Sequence, residues 1–170
     1  MNKNIKRRHS HKKKERSVEI TYDFGNNKKI FVNADDLRIT QVMSNLIVNS
    51  LNYGVENGTT EIAIKNLSKE KILVRVIDNG KGISEEDLPR IFERFYRVDK
   101  TRNRQEGGSG LGLAIVKHIV EAHNELVYVE SSLNVGSEFS FTLTKSNWII
   151  LKMGSKNKLK KFHENNTFKN

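Results

Sequence analysis

Residues 17–144 of this 170-residue chain predict a two-layer α/β sandwich, a mixed sheet with helices on one face. Several short segments alternate apolar and polar residues or run continuously apolar, as strands do. Two longer stretches between them carry helical periodicity. The chain's net charge of +10 lies outside this region: residues 1–16 carry +7, residues 145–170 carry +6, and the middle is −3. A nearly neutral middle of this length can bury a substantial core. No internal repeat is visible.

Residues 1–16 form a charge block of low hydrophobicity, expected to be disordered. Val18, Ile20 and Tyr22 alternate with polar residues and predict a first strand. Ile30–Ala34 predicts a second, after a turn at Gly25–Lys29. Asp35 or Asp36 can cap a helix running to about Tyr53, because a carboxylate there accepts the orphaned amide hydrogens of the first turn. Leu37, Val42, Met43, Leu46, Ile47 and Leu51 form its apolar side, and Gly54 and Gly58 mark its exit. Glu61–Asn66 predicts a strand with Ile62 and Ile64 on one face. Ile72–Asp78, apolar at nearly every position, reads as a buried central strand. Ser84–Asp87 is a capping-box pattern that opens a short helix, with Pro89 tolerated near its start. Val98–Gly108 is a loop long enough to have a function of its own. Leu111–His123 predicts a helix with Leu111, Ile115, Ile119 and Ala122 on one stripe. Leu126–Ser131 and Glu138–Thr144 are the last two strands.

Composition removes several classes. The basic excess belongs to the ends and not to the predicted fold, which argues against a specific nucleic-acid surface. Binding through the two basic ends alone stays open as a minor alternative. There is no cysteine, so disulfides and thiolate metal sites are excluded. No apolar run approaches the roughly 18 residues of a membrane span, and the first residues are too basic and polar for a signal peptide. A cytoplasmic location is expected.

The chemistry concentrates in three segments. Asn45, Asn49 and Asn52 recur at helical spacing, so one face carries three amides with Tyr53 beside them. A solvated polar face is the ordinary account of such spacing, but lysine and glutamate are missing from it. Asp78-Asn-Gly-Lys-Gly82 ends an apolar strand, where an unpartnered carboxylate is costly. Its first three residues also make a good turn. Gly108, Gly110 and Gly112 precede or open the helix at Leu111, where exposed amides and the positive end of the helix dipole suit an anion. No Lys-Ser/Thr follows these glycines, which excludes a Walker A loop, and no strand immediately precedes them, which argues against a dinucleotide fingerprint.

In this order, with Phe92-Glu-Arg-Phe-Tyr-Arg97 between the last two segments, the chain resembles the ATP-binding catalytic domain of bacterial two-component sensor histidine kinases, part of the superfamily that includes gyrase, Hsp90 and MutL. The resemblance covers roughly residues 17–144 and implies the Bergerat-type ATP-binding fold. It implies that Asp78 accepts the exocyclic amine of adenine, where guanine would present an acceptor, while Gly80 and Gly82 let the backbone approach the ring. By the same resemblance Asn49 is the Mg²⁺ ligand, its amide oxygen completing a shell of phosphate oxygens and water. Asn45 and Asn52 order the phosphates and Tyr53 lies against the nucleoside. Gly108, Ser109, Gly110, Leu111 and Gly112 cradle phosphate. Arg97, Lys100, Arg102 and Arg104 approach it from the lid, and Ser137, in a last glycine box at Gly136–Phe139, floors the pocket.

Two positions depart from the family pattern. Asn52 stands where relatives often carry Lys or Arg, and Asn124-Glu125 replaces the usual Gly-Gly after the helix. Asn tolerates the left-handed conformation that a helix terminus needs; Glu has no comparable advantage. ATP-hydrolysing members and serine kinases place a Glu base four residues before the metal-binding Asn. This chain has Asn45 there, which cannot take a proton. Histidine kinases need no such base, because neutral imidazole is already nucleophilic.

None of His9, His11, His118, His123 and His163 sits in the His-Glu-x-x-Thr/Asn-Pro setting of a phospho-acceptor. The partners the resemblance implies are a histidine-bearing dimerisation domain of a sensor kinase, separate or missing here, and, indirectly, a response regulator. The alternatives are a stand-alone ATP-binding regulator that sequesters a protein, as anti-sigma factors do, and a degenerate fragment without kinase activity. The segment after Thr144, with Trp148-Ile-Ile-Leu and then many lysines, has no functional reading.

Overall fold

A computed structural model of the chain describes residues 19–23, 30–98 and 109–146. The basic segment 1–16, the turn at Gly25–Lys29, nearly all of the Val98–Gly108 loop and residues 147–170 lie outside the described residues. The elements are β1 (Glu19–Asp23), α1 (Asp36–Tyr53), β2 (Thr59–Asn66), β3 (Lys71–Asp78), a single 3₁₀ turn at Leu88–Arg90, α2 (Gly112–Ala122), β4 (Val127–Ser132) and β5 (Gly136–Thr144). The sheet has five strands in the order β1-β2-β3-β5-β4. β1 and β2 are parallel and the other pairs antiparallel. This is the mixed sheet expected, with β3 at its centre.

Both helices pack on one face of the sheet. Val74 and Val76 of β3 and Phe139, Phe141 and Leu143 of β5 meet Val42 and Leu46 of α1 and Val116, Ile119 and Val120 of α2 in one buried cluster. β3 alternates strictly between half-buried and buried positions: Ile72, Val74, Val76 and Asp78 lie on the helix-covered face, while Leu73 and Ile77 share the other with Lys71 and Arg75. α1 starts as its sequence dictates: Asp35 is the N-cap, accepting the Arg38 amide at 3.0 Å, and Gly54 closes the helix by donating its amide to the Ser50 carbonyl.

Four expectations are corrected. Ile30–Ala34 forms no strand: only Val32 bridges Lys145, and Ser146 donates its amide to the Phe31 carbonyl. The short helix after Ser84 is one 3₁₀ turn, although Ser84 Oγ accepts the Asp87 amide, one half of a capping box, and donates to Asp87 Oδ2 at 2.6 Å. Leu37 is 81% exposed and lies outside the apolar side of α1. On α2 the buried stripe is Val116, Ile119 and Val120, with Ala122 exposed, because the sheet meets that helix about one position round from the predicted stripe.

Candidate functional site

One end of the site is built where β3 stops. Asp78 is 8% exposed. Its Oδ1 accepts the Gly80 amide at 2.8 Å, and the Ser137 amide is its other hydrogen-bond partner. Burial pushes the carboxyl above its ordinary value, against the pull of those two amides. The turn that follows is pressed onto the exit of α1: the Lys81 amide donates to the Tyr53 carbonyl at 3.1 Å, and a Cβ on Gly80 would lie 2.7 Å from that same oxygen. Gly82 has φ +67° and faces the Ser132 carbonyl so closely that a Cβ would sit 1.9 Å from its oxygen, so only glycine fits. Ser131 ties the floor together, its Oγ accepting the Ile83 amide and standing 3.0 Å from Ser137 Oγ. The structure therefore brings Tyr53, Asp78, Gly80, Gly82 and Ser137 into one corner.

The other end is built where α2 starts. A Cβ on Gly112 would meet the Asn45 amide at 3.9 Å, so the first turn of α2 opens opposite Asn45 on α1. The Asn45 Nδ2 is buried and has no hydrogen-bond partner among the described residues. Such a donor is costly unless a ligand satisfies it. Asn45 and Tyr53 are eight residues apart on one helix, roughly 12 Å along its axis. Asn49 and Asn52 lie between them, both half-buried. One helix thus spans both corners with amides along the way, about the extent of a nucleoside triphosphate.

Gly110 has φ +71° and accepts the Phe95 amide at 2.9 Å, which joins the glycine segment to the aromatic turn. Tyr96 donates to Asp87 at 2.5 Å, and the Arg90 guanidinium lies 4.3 Å above its ring. Arg97 is half-buried in a concavity of about 300 Å³ lined by Arg90, Phe95 and Tyr96. Ser109 and Leu111 flank Gly110; Lys100, Arg102, Arg104 and Gly108 lie outside the described residues.

A shallow depression of about 410 Å³ opens at the Asp78 end of the sheet. Its wall includes Glu61 and Glu130, and Glu138 paired with Arg75, a net negative charge that suits phosphate less than the helix-covered side does. Among the described residues no group of His, Cys, Asp or Glu could hold a metal ion by itself. A cation here would need amide ligands and the oxygens of its own ligand.

Several structural anchors escaped sequence reasoning. Asn79 Oδ1 accepts the Thr59 amide at 2.7 Å and pins the strand end. Ser50 and Thr60 share a buried hydrogen bond beneath α1. Asn124 does take the left-handed conformation, φ 58°, and the helix ends in a Schellman motif: the Asn124 amide donates to the Glu121 carbonyl and the Glu125 amide to that of Val120. Glu125, a departure without apparent reason in sequence, is buried and accepts from Lys71 Nζ, Thr142 Oγ1 and Thr144 Oγ1, each at 2.6 Å. No local signal announces this, because its partners are distant in sequence.

With this geometry in place, comparison with known proteins is informative. Residues 34–147 match the model of the histidine kinase-, DNA gyrase B-, and HSP90-like ATPase family. The sensor histidine kinase WalK of Bacillus subtilis (strain 168) is 40% identical over 131 residues, 76% of this chain and 21% of that protein. The sensor protein kinase WalK of Staphylococcus aureus is 43% identical over 117 residues, 68% of this chain and 28% of that protein. The chain thus spans 21% and 28% of the length of these curated relatives. Among solved structures, the catalytic domain of histidine kinase ThkA superposes with a TM-score of 0.63 at 30% identity, covering 75% of this chain and 80% of that one. Full-length ShkA, solved in complex with AMPPNP, gives 0.65 at 27% identity, covering 76% of this chain and 26% of that one.

Proposed function

The chain belongs to the histidine kinase-, DNA gyrase B-, and HSP90-like ATPase family, and from that membership we propose that it is the Mg²⁺·ATP-binding catalytic domain of a two-component sensor histidine kinase. The observation that carries this reading is the buried Asp78 carboxylate, held by two backbone amides at the foot of α1, with the unsatisfied Asn45 amide at the far end of the same site. The bound AMPPNP of the related ShkA supports the ligand class.

In this proposal Asp78 accepts the adenine amine, the backbone at Gly80 and Gly82 borders the ring, Tyr53 lies along the nucleoside and Ser137 supports Asp78 from below. Asn45 donates to a phosphate oxygen. Asn52 donates more weakly than the cationic side chain common in relatives would. The amides from Gly108 through Gly112, with Ser109 and Leu111 among them, receive phosphate oxygens at the start of α2. Arg97, Lys100, Arg102 and Arg104 supply positive charge. Asn49 is the protein ligand for Mg²⁺, which when bound neutralises phosphate charge and polarises the transferring group.

The chain contributes position and charge rather than a base. With Asn45 where hydrolytic relatives have Glu, nothing at that position activates water or serine. A histidine imidazole on a dimerisation domain attacks the γ-phosphorus with its own lone pair while the bond to the β–γ bridging oxygen breaks, leaving ADP. A response regulator is the onward acceptor. Residues 17–144 are assigned to this domain, with 1–16 and 145–170 as basic flanks; among the described residues no helix is long and apolar enough to cross a membrane.

Titration with ATP and GTP, with and without Mg²⁺, tests the reading. ATP should bind well ahead of GTP, Mg²⁺ should tighten it, and Asp78→Asn should weaken it about tenfold or more. Equal affinity for the two nucleotides, or binding of neither, overturns it.

A further inference from the structure

Phe95 sits in a conformation that its residue type disfavours. Its φ is +65°, in the left-handed region where a bulky side chain is an outlier. Its ring does not explain this, because Phe95 is 66% exposed, with the Arg94 guanidinium 5.8 Å from the ring centre. What the conformation achieves is on the backbone. It turns the Phe95 amide onto the Gly110 carbonyl at 2.9 Å, and the two segments touch so closely that a Cβ on Gly110 would lie 2.9–3.1 Å from Phe95 backbone atoms. The turn is anchored from behind by the Tyr96–Asp87 hydrogen bond, and Asp87 is itself held by Ser84.

In a planar trans peptide the amide hydrogen points opposite to the preceding carbonyl. Holding the Gly110 carbonyl therefore aims the Leu111 amide hydrogen away from Phe95, at the mouth of α2. We propose that Phe95 is a positioning residue for the phosphate-binding segment: its strained backbone, and not its ring, orients the Gly110–Leu111 peptide. This rests on the nucleotide reading above. It adds a determinant of triphosphate affinity that acts through a main-chain amide at a distance from the ligand.

Substitutions graded by tolerance of positive φ test it. Phe95→Gly and Phe95→Asn accept the left-handed conformation, whereas Phe95→Val resists it. Calorimetric titration should find Mg²⁺·ATP affinity kept in the Gly and Asn variants and lowered at least about fivefold in the Val variant. Adenosine affinity should be the same in all, because base recognition at Asp78 lies at the other corner. Should the Val variant not fold, Phe95→Ala, which keeps a Cβ at smaller cost, must still bind ATP more weakly than Phe95→Gly. Equal ATP affinity across the series, loss in the Gly variant, or a parallel loss of adenosine binding overturns the positioning role and leaves the nucleotide reading standing. A wild-type chain that binds no ATP overturns both.

Discussion

In the proposed function Asp78 serves a ligand at the expense of the fold. Burial raises its carboxyl above the ordinary 3.8, and the Gly80 and Ser137 amides offset this only in part. A group whose folded pKa lies above its unfolded one contributes stability that is present below the unfolded value. That contribution is lost as pH rises through the folded value. Asp78→Asn removes the titration. The melting temperature of the wild type, taken relative to that of the Asn variant, should therefore fall as pH is raised from about 3.8 toward neutrality. A difference that stays constant with pH would mean that the carboxyl does not titrate differently on folding. A strand-end turn and the proposed recognition role are not competing descriptions of this residue: the turn at Asn79–Gly80 supplies the amide that orients the carboxylate.

At the scale of elements, the end of α2 is joined to the sheet through Glu125. The Schellman turn at Asn124 delivers Glu125 inward, where Lys71 of β3 and Thr142 and Thr144 of β5 converge on it. Burial by itself would raise this carboxyl, but the Lys71 ion pair and the two hydroxyls outweigh it and hold it below its ordinary 4.5. The stability it contributes is present above the unfolded value and is lost as pH falls through the folded one. Lys71 keeps 37% of its side chain in solvent, so losing its partner strands it less than a fully buried cation. Glu125→Ala should cost about 2–3 kcal/mol in urea unfolding near neutral pH, mostly from three donors losing their acceptor. Glu125→Gln should cost less, and the gap between wild type and Ala should narrow in acid. A cost below about 0.5 kcal/mol, the range of ordinary surface substitutions, would show that the cluster is incidental.

Across the whole molecule, two helices and one face of the sheet surround the proposed site, and among the described residues neither histidine is placed as an acceptor. His118 is exposed on α2, and His123 has both ring nitrogens engaged: Nδ1 with the Ile119 carbonyl at 2.7 Å and Nε2 accepting the Asp35 amide at 3.1 Å. A ring whose lone pair is already bonded is a poor nucleophile. His9, His11 and His163 lie outside the described residues. Phosphoryl transfer depends mainly on placing the attacking atom in line. The chain incubated with γ-labelled ATP should stay unlabelled. A separately supplied dimerising histidine domain from its natural partner should acquire acid-labile phosphate. Stoichiometric acid-labile label on the chain itself would make one of its own histidines an acceptor.

The amino-acid sequence by itself determined the layer architecture and the local segments from which the candidate site is built, because those depend on short-range rules. Asp35 caps its own first turn, Asp78 orients itself on the Gly80 amide two residues on, and β3 runs apolar from Ile72 to Ile77 apart from Arg75. Tertiary structure decided what depends on distant partners. It reduced Ile30–Ala34 to one bridge, since Val32 finds only Lys145 to pair with, and it turned α2 so that Val116 and Val120 face the sheet. It also gave Glu125 its three donors, residues 17 to 54 positions away in sequence. The strain at Phe95 was invisible for the same reason: a left-handed phenylalanine is justified only by the Gly110 carbonyl that the fold carries back to it. Local propensity is written residue by residue, whereas the identity of a partner across the core is settled only when the chain closes on itself.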